Sequence, residues 1–379
     1  MLDLSTVPIV DNHCHALARD QGPFDLLTWR MFWTEALEPA LGRDHVLHMA
    51  YYQWSMNQLA EEFGCYPDEQ AVLEYHNTHR GDGLSARLLR KSHYDTLLLD
   101  DGVPGPERGV PRERMGELGR CGVGWLHRLE LRQQQLLPES SRFDDFIERY
   151  RHELATLRER GVVGAKSIAA YRGGLEIGRP DEAAAREAFA ALKETANRQG
   201  AVRIADKRLL DYTLHLALEQ LARQGLPIQF HTGYGDTDED LRLGNPLCLR
   251  SILEERRYWG APVVLIHESW PYVREAAFLT IVYPHVYMDV SPEVPHLAYR
   301  EMVQFTRAAF DAAPFSKLMV ATDSYSIPEH YFLGAKRIRA VLGKVLGEMQ
   351  SDGVLRAEQA ERAAEQVLRG TARQLYGLE

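Results

Sequence analysis

Near its amino end the chain reads VPIVDNHCH (Val7–His15), a short apolar run that closes on two histidines. Residues i and i+2 of a β-strand point to the same face, so we expect His13 and His15 to project together while Cys14 points away. If this strand lines a barrel, both imidazoles emerge at its carboxyl end, where barrel enzymes place their chemistry. Neutral imidazole is a common metal ligand, so the pair indicates a metal site; the alternative is two surface histidines behind an edge strand.

The composition restricts the class of protein. The 379 residues are 45% hydrophobic and 26% charged, which is ordinary for a globular chain with a large core. The formal net charge of −10 argues against binding to nucleic acid, which requires a basic face. No apolar stretch approaches the roughly 20 residues that cross a membrane. We therefore expect a small-molecule partner, with no nucleic acid and no membrane.

The cysteines and the first residues indicate a compartment. The four cysteines are widely spaced, at Cys14, Cys65, Cys121 and Cys248. Such spacing is typical of reduced thiols rather than of a disulfide framework. The opening residues, Met1–Ser5, lack the charged and apolar regions of a signal peptide. The expected location is the cytoplasm.

Predicted strands and helices alternate along most of the chain. After the opening strand, further strands are predicted at His93–Leu99, Val123–Leu131, Val162–Ala170, Leu226–His231, Pro262–His267, Val286–Val290 and Lys317–Asp323. Helices are predicted between and after them, at 143–160, 181–198, 205–224, 248–259, 271–282, 293–312, 329–348 and 355–375, with a Gly/Pro-rich loop at 101–122. Eight such strands favour a closed α/β barrel, (β/α)8, over an open sheet. No linker is evident, so 1–379 is predicted to form a single barrel domain.

The segment 20–92 does not follow this alternation. It is rich in aromatic residues and has helical patterns at 44–63 and 67–78. Long insertions in barrel enzymes occur in the loops that leave the carboxyl ends of the strands. We interpret 20–92 as a helical cap after the first strand, with most of its aromatic residues packing the cap against the barrel.

Four later polar residues occupy the same position relative to a strand as the two opening histidines. They come at or near the ends of apolar runs in strands 4, 5, 6 and 8, and they are Lys166, His231, His267 and Asp323. A lone histidine at such a place is usually satisfied by a backbone carbonyl. The repeated placement on several strands instead favours one common site at the barrel mouth.

The motifs around these residues indicate a family. They are VDNHCHA (10–16), KSIAAYRGGL (166–175), FHTG (230–233), HESWPY (267–272) with REA (274–276), and ATDS (321–324). With them the chain resembles the amidohydrolase superfamily of metal-dependent barrels. It looks most similar to the branch that includes the amidohydrolase-like amino-terminal half of fungal FluG and of plant nodulin/glutamine synthetase-like fusions. The resemblance spans essentially the whole chain and is least diagnostic in 20–92.

The resemblance implies a metal centre with catalytic groups beside it. His13, His15 and Asp323 would hold a first ion, for which Zn²⁺ is the best match, with Mn²⁺, Fe²⁺ or Ni²⁺ as alternatives. Such an ion would activate a water molecule near neutral pH. Asp323 would accept the proton of that water and deliver it to the leaving group.

The number of ions depends on three residues. In a two-metal site His231 and His267 bind a second ion, which a carbamylated Lys166 bridges to the first. In a one-metal site His231 joins the first ion, and His267 becomes the catalytic base or polarises the substrate carbonyl. Lys166 distinguishes the two, since a free ammonium repels a metal ion whereas a carbamate offers two oxygen ligands. A lysine that is salt-bridged inside the barrel remains the alternative.

Residues that follow the strand ends are candidates for contact with the substrate. Arg172 could bind a substrate carboxylate with its planar guanidinium. Tyr171, Tyr234 and Trp270 could line the pocket, and loop packing is the alternative for all four. Asp289 and Glu293, near strand 7, are candidates to orient a ligating histidine.

Three functions are compatible with the sequence. The first is a metal-dependent hydrolase that acts on an amide or related C–N bond of a small carboxylate-bearing molecule, for which a γ-glutamyl amide is suggested by the link to glutamine synthetase-like partners. The second is a one-metal decarboxylase or other lyase with His267 handling the proton. The third is a non-catalytic regulatory barrel. A homo-oligomer, most simply a dimer, is expected.

Overall fold

Eight parallel strands close into a barrel in which neighbouring strands follow the order of the sequence. The computed structural model describes residues 2–291 and 296–378 of the chain. The strands are β1 (Ile9–His15), β2 (Tyr94–Asp100), β3 (Gly122–Arg128), β4 (Val162–Ser167), β5 (Ile228–His231), β6 (Val263–Ile266), β7 (Val286–Val290) and β8 (Leu318–Val320). This closed sheet confirms the predicted (β/α)8 fold.

Helices surround the barrel on the outside and cover part of its carboxyl end. The segment between β1 and β2 contains α1 (Leu26–Met31), α2 (Pro39–Asp44), α3 (Ala50–Phe63), α4 (Glu69–His79) and α5 (Asp82–Lys91). The later helices are α6 (Arg112–Gly119), α7 (Leu129–Glu139), α8 (Phe143–Ala155), α9 (Ala170–Gly173), α10 (Glu182–Gln199), α11 (Lys207–Gln224), α12 (Arg250–Leu253), α13 (Val273–Val282), α14 (Tyr299–Ala312), α15 (Pro328–Ser351), α16 (Ala357–Glu365) and α17 (Thr371–Tyr376). Because helices cover the outer face, most of the strands are buried on both sides and read as nearly continuous apolar runs, whereas β3 is only partly buried.

Several predicted elements differ from the structure. Helix α6 lies inside the expected loop 101–122, and α7 begins where strand 3 was expected to continue. The buried residues of α7 include Leu129, Gln133, Leu136 and Leu137, whose spacing is that of one helix face. The predicted helix 248–259 is instead the single turn α12 between two 3₁₀ turns, and a π turn interrupts 355–375. The start of the predicted helix 293–312 falls partly on residues 293–295, outside the described residues.

The seam between the first and last strands is held by a buried side chain. Asp11 of β1 lies opposite Val320 of β8. Its Oδ1 accepts a hydrogen bond of 2.9 Å from the backbone N–H of Thr322, and its Oδ2 accepts one of 2.5 Å from the Thr322 hydroxyl. Burial raises the pKa of Asp11 to about 7 despite these bonds. The carboxyl group therefore joins β1 to the loop that carries Asp323.

The amino end of the barrel is closed by the last helix. Tyr376 of α17 packs against the side chains that fill the barrel interior: Val10, Leu98, Leu126, Val264, Ile266 and Met319. The Tyr376 hydroxyl accepts a hydrogen bond of 2.8 Å from Nε2 of Gln229 in β5. The helix that closes the amino end of the barrel is therefore hydrogen-bonded to Gln229, a buried side chain of β5.

Aromatic packing attaches the cap to the barrel. Trp29 and Trp33 of the cap are fully buried, and the ring of Trp33 meets His330 of α15 edge-on at 4.9 Å. Helix α5, at the end of the predicted cap segment, packs against α15 and α6 in the outer ring. Within residues 2–291 and 296–378 we find no helix whose length and apolar character would let it cross a bilayer.

A buried ion pair makes a second connection between cap and barrel. His76 of α4 donates from Nδ1 to Oε1 of Glu329 in α15 at 2.7 Å, and both side chains are 0% exposed. Its Nε2 donates to the backbone oxygen of Gln21 at 3.0 Å. Burial by itself lowers the pKa of His76, but the charge and hydrogen bond of Glu329 reverse this and raise the pKa above its ordinary value. Both ring nitrogens face acceptor oxygens, which is the arrangement of a protonated imidazole paired with Glu329.

We predict that Glu329→Gln lowers the free energy of unfolding by about 3 kcal/mol, because it leaves a buried charge without its partner. Since the folded pKa of His76 is raised, the contribution is full below the unfolded pKa of about 6.5 and fades as the pH rises through the folded value. Urea unfolding should therefore show a larger loss at pH 6 than at pH 9. Glu348→Gln, near the surface of the same helix, is the control and should change stability by less than about 1 kcal/mol. Equal stability of Glu329→Gln and wild type would contradict the ion pair.

Candidate active site

The six predicted metal-site residues all lie at the carboxyl mouth of the barrel: His13, His15, Lys166, His231, His267 and Asp323. Lys166 and the four histidines are buried, whereas the Asp323 side chain is 24% exposed. The Asp323 carboxylate therefore faces an opening that solvent or substrate can enter. The structure brings all six together around that opening.

Two of these residues leave their strands through left-handed backbone. β6 ends at Ile266 and β8 at Val320, so neither strand extends to His267 or Asp323 as predicted. His267 has φ of 68° and Asp323 has φ of 52°. Such conformations cost roughly 1–3 kcal/mol each in non-glycine residues and persist where the surroundings impose them. The backbone N–H of Asp323 donates to the His13 carbonyl at 3.0 Å, which fixes the turn against β1.

The hydrogen bonds of Gln229 determine the tautomer of His13. Nε2 of Gln229 donates to the backbone oxygen of Asn12 at 2.6 Å and to the Tyr376 hydroxyl at 2.8 Å, so the amide oxygen faces His13. That oxygen lies 2.8 Å from Nδ1 of His13, which must therefore carry the proton. Burial lowers the pKa of His13 to about 4, so the ring is neutral. Its Nε2 consequently presents a lone pair to the mouth.

His15 has the same tautomer for a related reason. Its Nδ1 lies 3.2 Å from the backbone oxygen of Asp100, and a carbonyl oxygen can only accept. The proton of a neutral His15 is therefore on Nδ1, and Nε2 is left with its lone pair. The hydrogen-bonded Nδ1 with a free Nε2 is the usual arrangement of histidines that bind metal ions.

Three atoms with free lone pairs, two imidazole nitrogens and one carboxylate oxygen, lie close together. Oδ1 of Asp323 lies 3.2 Å from Nε2 of His13 and 3.2 Å from Nε2 of His15. This oxygen is buried and has no hydrogen-bond partner of acceptable geometry in the described part of the chain. Donor atoms bound to one ion at about 2.1 Å lie roughly 3.0–3.4 Å apart. The residues present therefore fit a divalent metal ion.

His231 and His267 face the same space. Their ring centroids are 4.4 Å apart, and Nδ1 of His267 lies 3.9 Å from Oδ2 of Asp323. Nε2 of His231 and Nδ1 of His267 are buried without a hydrogen-bond partner among residues 2–291 and 296–378. Burial holds the pKa of both well below the ordinary value. Both are neutral imidazoles with a nitrogen free for a ligand.

Lys166 is one of the largest fully buried side chains, at 1% exposure. Burial lowers its pKa to about 8, although the carboxylates of Asp100 and Asp323 act in the opposite direction. Its neighbour across the strands is Arg128 of β3. The amine is therefore held beside the histidine cluster in a setting that weakens its charge.

Sequence reasoning missed an ion pair beside the cluster. Asp100 ends β2 and receives three hydrogen bonds of 2.9–3.0 Å from the guanidinium of Arg128. Burial raises the pKa of Asp100, but Arg128 outweighs it and holds the pKa well below its ordinary value. The carboxylate also lies close enough to His13 and His15 to form a possible ligand group with them. Its position at the end of the apolar run YDTLLLD was the available signal.

The four predicted substrate contacts surround the mouth. The ring of Tyr171 lies 4.3 Å from His231, and that of Tyr234 lies 5.7 Å from Trp270. Nε1 of Trp270 and Nε of Arg172 are buried without hydrogen-bond partners in the part of the chain that is described. The four side chains are only partly buried, and their contact with a substrate stays a prediction.

Asp289 was expected to orient a ligating histidine, but its hydrogen-bond partners are other residues. Its oxygens accept from Asn12 Nδ2 at 3.3 Å, from the backbone N–H of Glu268 at 3.2 Å and from the Ser291 hydroxyl at 2.6 Å. It thus holds the turn that follows β6. The other candidate, Glu293, lies outside the described residues.

Comparison with known proteins identifies the family. The model of the amidohydrolase family matches residues 144–378. Protein fluG of Emericella nidulans is 32% identical over 230 residues, which cover 59% of this chain and 26% of that protein. The chain therefore spans about a quarter of the length of this relative.

Solved structures share the fold over the whole chain. A candidate metal-dependent hydrolase from Lactobacillus casei ATCC 334 is 28% identical, with a TM-score of 0.86 and coverage of 100% of this chain and 98% of the other. A uronate isomerase from Thermotoga maritima is 16% identical, with a TM-score of 0.70 and coverage of 98% and 95%. The second likeness shows the barrel architecture alone. With its closed barrel, its histidine and aspartate cluster and these matches, the chain belongs to the amidohydrolase family of metal-dependent barrel proteins.

Proposed function

We propose that the protein is a metal-dependent hydrolase that cleaves an amide or related C–N bond in a small carboxylate-bearing substrate. The observation that carries this proposal is the placement of Asp323 Oδ1 at 3.2 Å from the Nε2 atoms of both His13 and His15. Imidazole and carboxylate donors suit Zn²⁺, and Mn²⁺, Fe²⁺ or Ni²⁺ fit the same set. The similarity to the Lactobacillus casei protein supports a metal-dependent class.

Asp323 is the proposed carrier of the proton. When bound, a divalent ion supplies Lewis-acid activation of water and of a substrate carbonyl. Its Oδ1 lies 3.2 Å from Nε2 of His13 and of His15, and a divalent ion bound between these atoms would keep the carboxylate ionised. The ionised carboxylate accepts a proton from the attacking water at Oδ2 and passes it to the leaving nitrogen. His267, whose Nδ1 lies 3.9 Å from Oδ2, would polarise the substrate carbonyl.

Lys166 decides between one and two ions. Its lowered pKa, about 8, leaves a fraction of neutral amine near pH 7, and a neutral amine is the form that adds CO₂ to give a carbamate and a proton. As a carbamate it would join His231 and His267 as a ligand of a second ion. Unmodified, it would leave a single ion, with His231 as a ligand and His267 as a catalytic group.

The substrate is proposed to be a γ-glutamyl amide. Arg172, with its unpartnered Nε, can bind a carboxylate, and Tyr171, Tyr234 and Trp270 can form the walls of the pocket. The resemblance to barrels joined to glutamine synthetase-like partners supports the γ-glutamyl class. We also propose a cytoplasmic location, since four free cysteines are typical of a reducing compartment.

The direct test is product analysis with a panel of γ-glutamyl amides. Metal-loaded protein should release ammonia or an amine from at least one of them. Release of CO₂ from a carboxylate substrate would instead support the one-metal lyase, in which the unpartnered Nδ1 of His267 handles the proton. Absence of both products across Zn²⁺, Mn²⁺, Fe²⁺ and Ni²⁺ would support a non-catalytic barrel.

We predict that His13→Ala removes most of the bound metal, because it deletes one of the converging lone pairs. The loss of affinity should exceed the roughly 10–100-fold that deleting an orienting partner costs. Metal content per chain, measured by mass spectrometry on protein purified without chelator, checks this. His45→Ala, on the exposed surface of the cap, is the control and should retain wild-type content. Full metal content in His13→Ala would refute the proposed centre.

Gln229 provides a test of the tautomer argument. Gln229→Leu should weaken metal affinity by roughly 10–100-fold, because Nδ1 of His13 loses the acceptor that holds its proton. Tyr376→Phe removes another partner of the same amide but keeps the Gln229–His13 bond, so its metal affinity should remain unchanged. Competition with a fluorescent chelator measures both affinities, and thermal melts confirm folding. Equal affinities of the two variants would mean that Gln229 does not orient His13.

We predict that Asp323→Asn lowers kcat by at least ~100-fold, because an amide cannot accept the proton of the attacking water. The fold should be preserved, as judged by circular dichroism and melting temperature. Asp311→Asn, which changes an exposed carboxylate on α14, should leave kcat unchanged. Turnover retained in Asp323→Asn would show that another group carries the proton.

A further inference from the structure

A short segment of the cap crosses the mouth of the barrel. This strap, Phe32 to Leu37, is held at both ends. The Tyr325 hydroxyl, from the loop after β8, donates to the Phe32 carbonyl at 3.2 Å. The backbone N–H of Leu37 donates to the hydroxyl of Thr237, from the loop after β5, at 3.4 Å. The strap therefore connects two sides of the mouth above the histidine cluster.

The strap places an acidic side chain over the opening. Glu35 lies in its middle and is partly buried. The charges that act on it are those of the carboxylates Asp323 and Asp236. Among the described residues we find no cation paired with Glu35 and no hydrogen bond to its carboxyl group. Burial, followed by these two repulsions, raises the pKa of Glu35 to about 8. A partly buried carboxyl group in this position lacks a positive partner.

Aromatic side chains lie near Glu35. Burial and then the charge of Glu35 raise the pKa of Tyr171, Tyr234 and Tyr325, so these hydroxyls lie near its carboxyl group. Each of the three is partly exposed, so none of these rings is fully buried in the core. Trp270 adds a further ring, in edge contact with Tyr234 at 5.7 Å. Electron-rich faces combined with a carboxylate are the surroundings that favour a cationic nitrogen.

A positive group is present on another side of the same mouth. Arg172 acts electrostatically on Asp236, the same carboxylate that acts on Glu35. Its Nε is buried without a hydrogen-bond partner in the described ranges. Burial lowers the pKa of Arg172, which remains charged at neutral pH all the same. The mouth thus offers the carboxyl group of Glu35, which lacks a positive partner among the described residues, and the guanidinium of Arg172, whose Nε lacks a hydrogen-bond partner there.

We infer that Glu35 binds a substrate ammonium group, so that the substrate is a zwitterionic amino-acid amide whose carboxylate Arg172 receives. This inference rests on the proposed function and narrows its substrate class. A plain carboxylate amide would leave Glu35 without a partner beneath the strap. A γ-glutamyl amide supplies both an α-ammonium and an α-carboxylate, four bonds or fewer from the amide that is to be cleaved.

Two compounds that differ only in the ammonium group test the inference. L-Glutamine and 4-carbamoylbutanoate share the carboxylate, the chain and the amide, but the second compound lacks the α-amine. Calorimetric titration of the metal-loaded protein should show that L-glutamine binds roughly 10- to 100-fold more tightly. Glu35→Gln should abolish this preference while leaving the affinity for 4-carbamoylbutanoate unchanged.

Glu38→Gln is the matched control. Glu38 lies three residues further along the chain, is exposed and makes no capping hydrogen bond with its side chain. It should keep the full preference for L-glutamine. Melting temperatures of both variants establish that they are folded.

The outcomes separate the inference from the proposed function. Equal affinity of wild type for the two compounds, weak or undetectable binding of both, or a preference that survives Glu35→Gln would overturn the role of Glu35. Amide cleavage without a preference for the ammonium compound would leave the hydrolase intact and remove the inference. A preference that depends on Glu35, without cleavage of any amide, would support the role of Glu35 and contradict the proposed hydrolase.

Discussion

The arrangement at the barrel mouth depends on two protons that point away from it. His13 donates its Nδ1 proton to Gln229, and His15 directs its own to the Asp100 carbonyl, so both rings present a lone pair. At 3.2 Å each of these meets an oxygen of Asp323 that has no proton of its own. Such a meeting is repulsive without a cation and favourable with one. The proposed metal centre is thus arranged by hydrogen bonds on the far sides of His13 and His15.

Those hydrogen bonds connect the site to the whole barrel. Gln229 also donates to Tyr376, so hydrogen bonds run from the last helix, at the amino end of the barrel, to His13 at the mouth. Asp11 joins β1 to the loop after β8, and the left-handed turn at Asp323 is held against the His13 carbonyl. The strain at Asp323 and His267 is tolerated because the closed sheet leaves the backbone little alternative. Rigid elements thereby position the groups on which the chemistry depends.

The cap supplies what the barrel strands do not. His76 with Glu329 and the buried tryptophans attach it to α15, and the strap then carries Glu35 over the opening. A carboxyl group that comes from outside the barrel can be replaced without changing the residues of the proposed metal centre. In barrel enzymes generally, the strands form a constant scaffold, and the variable loops at their carboxyl ends determine the substrate. In this protein we propose that His13 and Asp323 serve the metal centre, whereas Glu35 and Arg172 bind the substrate.

The barrel could be predicted from the sequence, because strands buried on both faces must be apolar, and polar residues such as His13 and Asp323 stand out at their ends. The sequence placed six candidate ligands at one mouth, since the carboxyl ends of parallel strands share one edge. The strand limits at His267 and Asp323 and the helix at Leu129 were misjudged, because local pattern does not show where a backbone turns away from its sheet. The tautomers of His13 and His15, the pair of Asp100 with Arg128 and the place of Glu35 were decided by tertiary structure alone, since each depends on groups far apart in the chain.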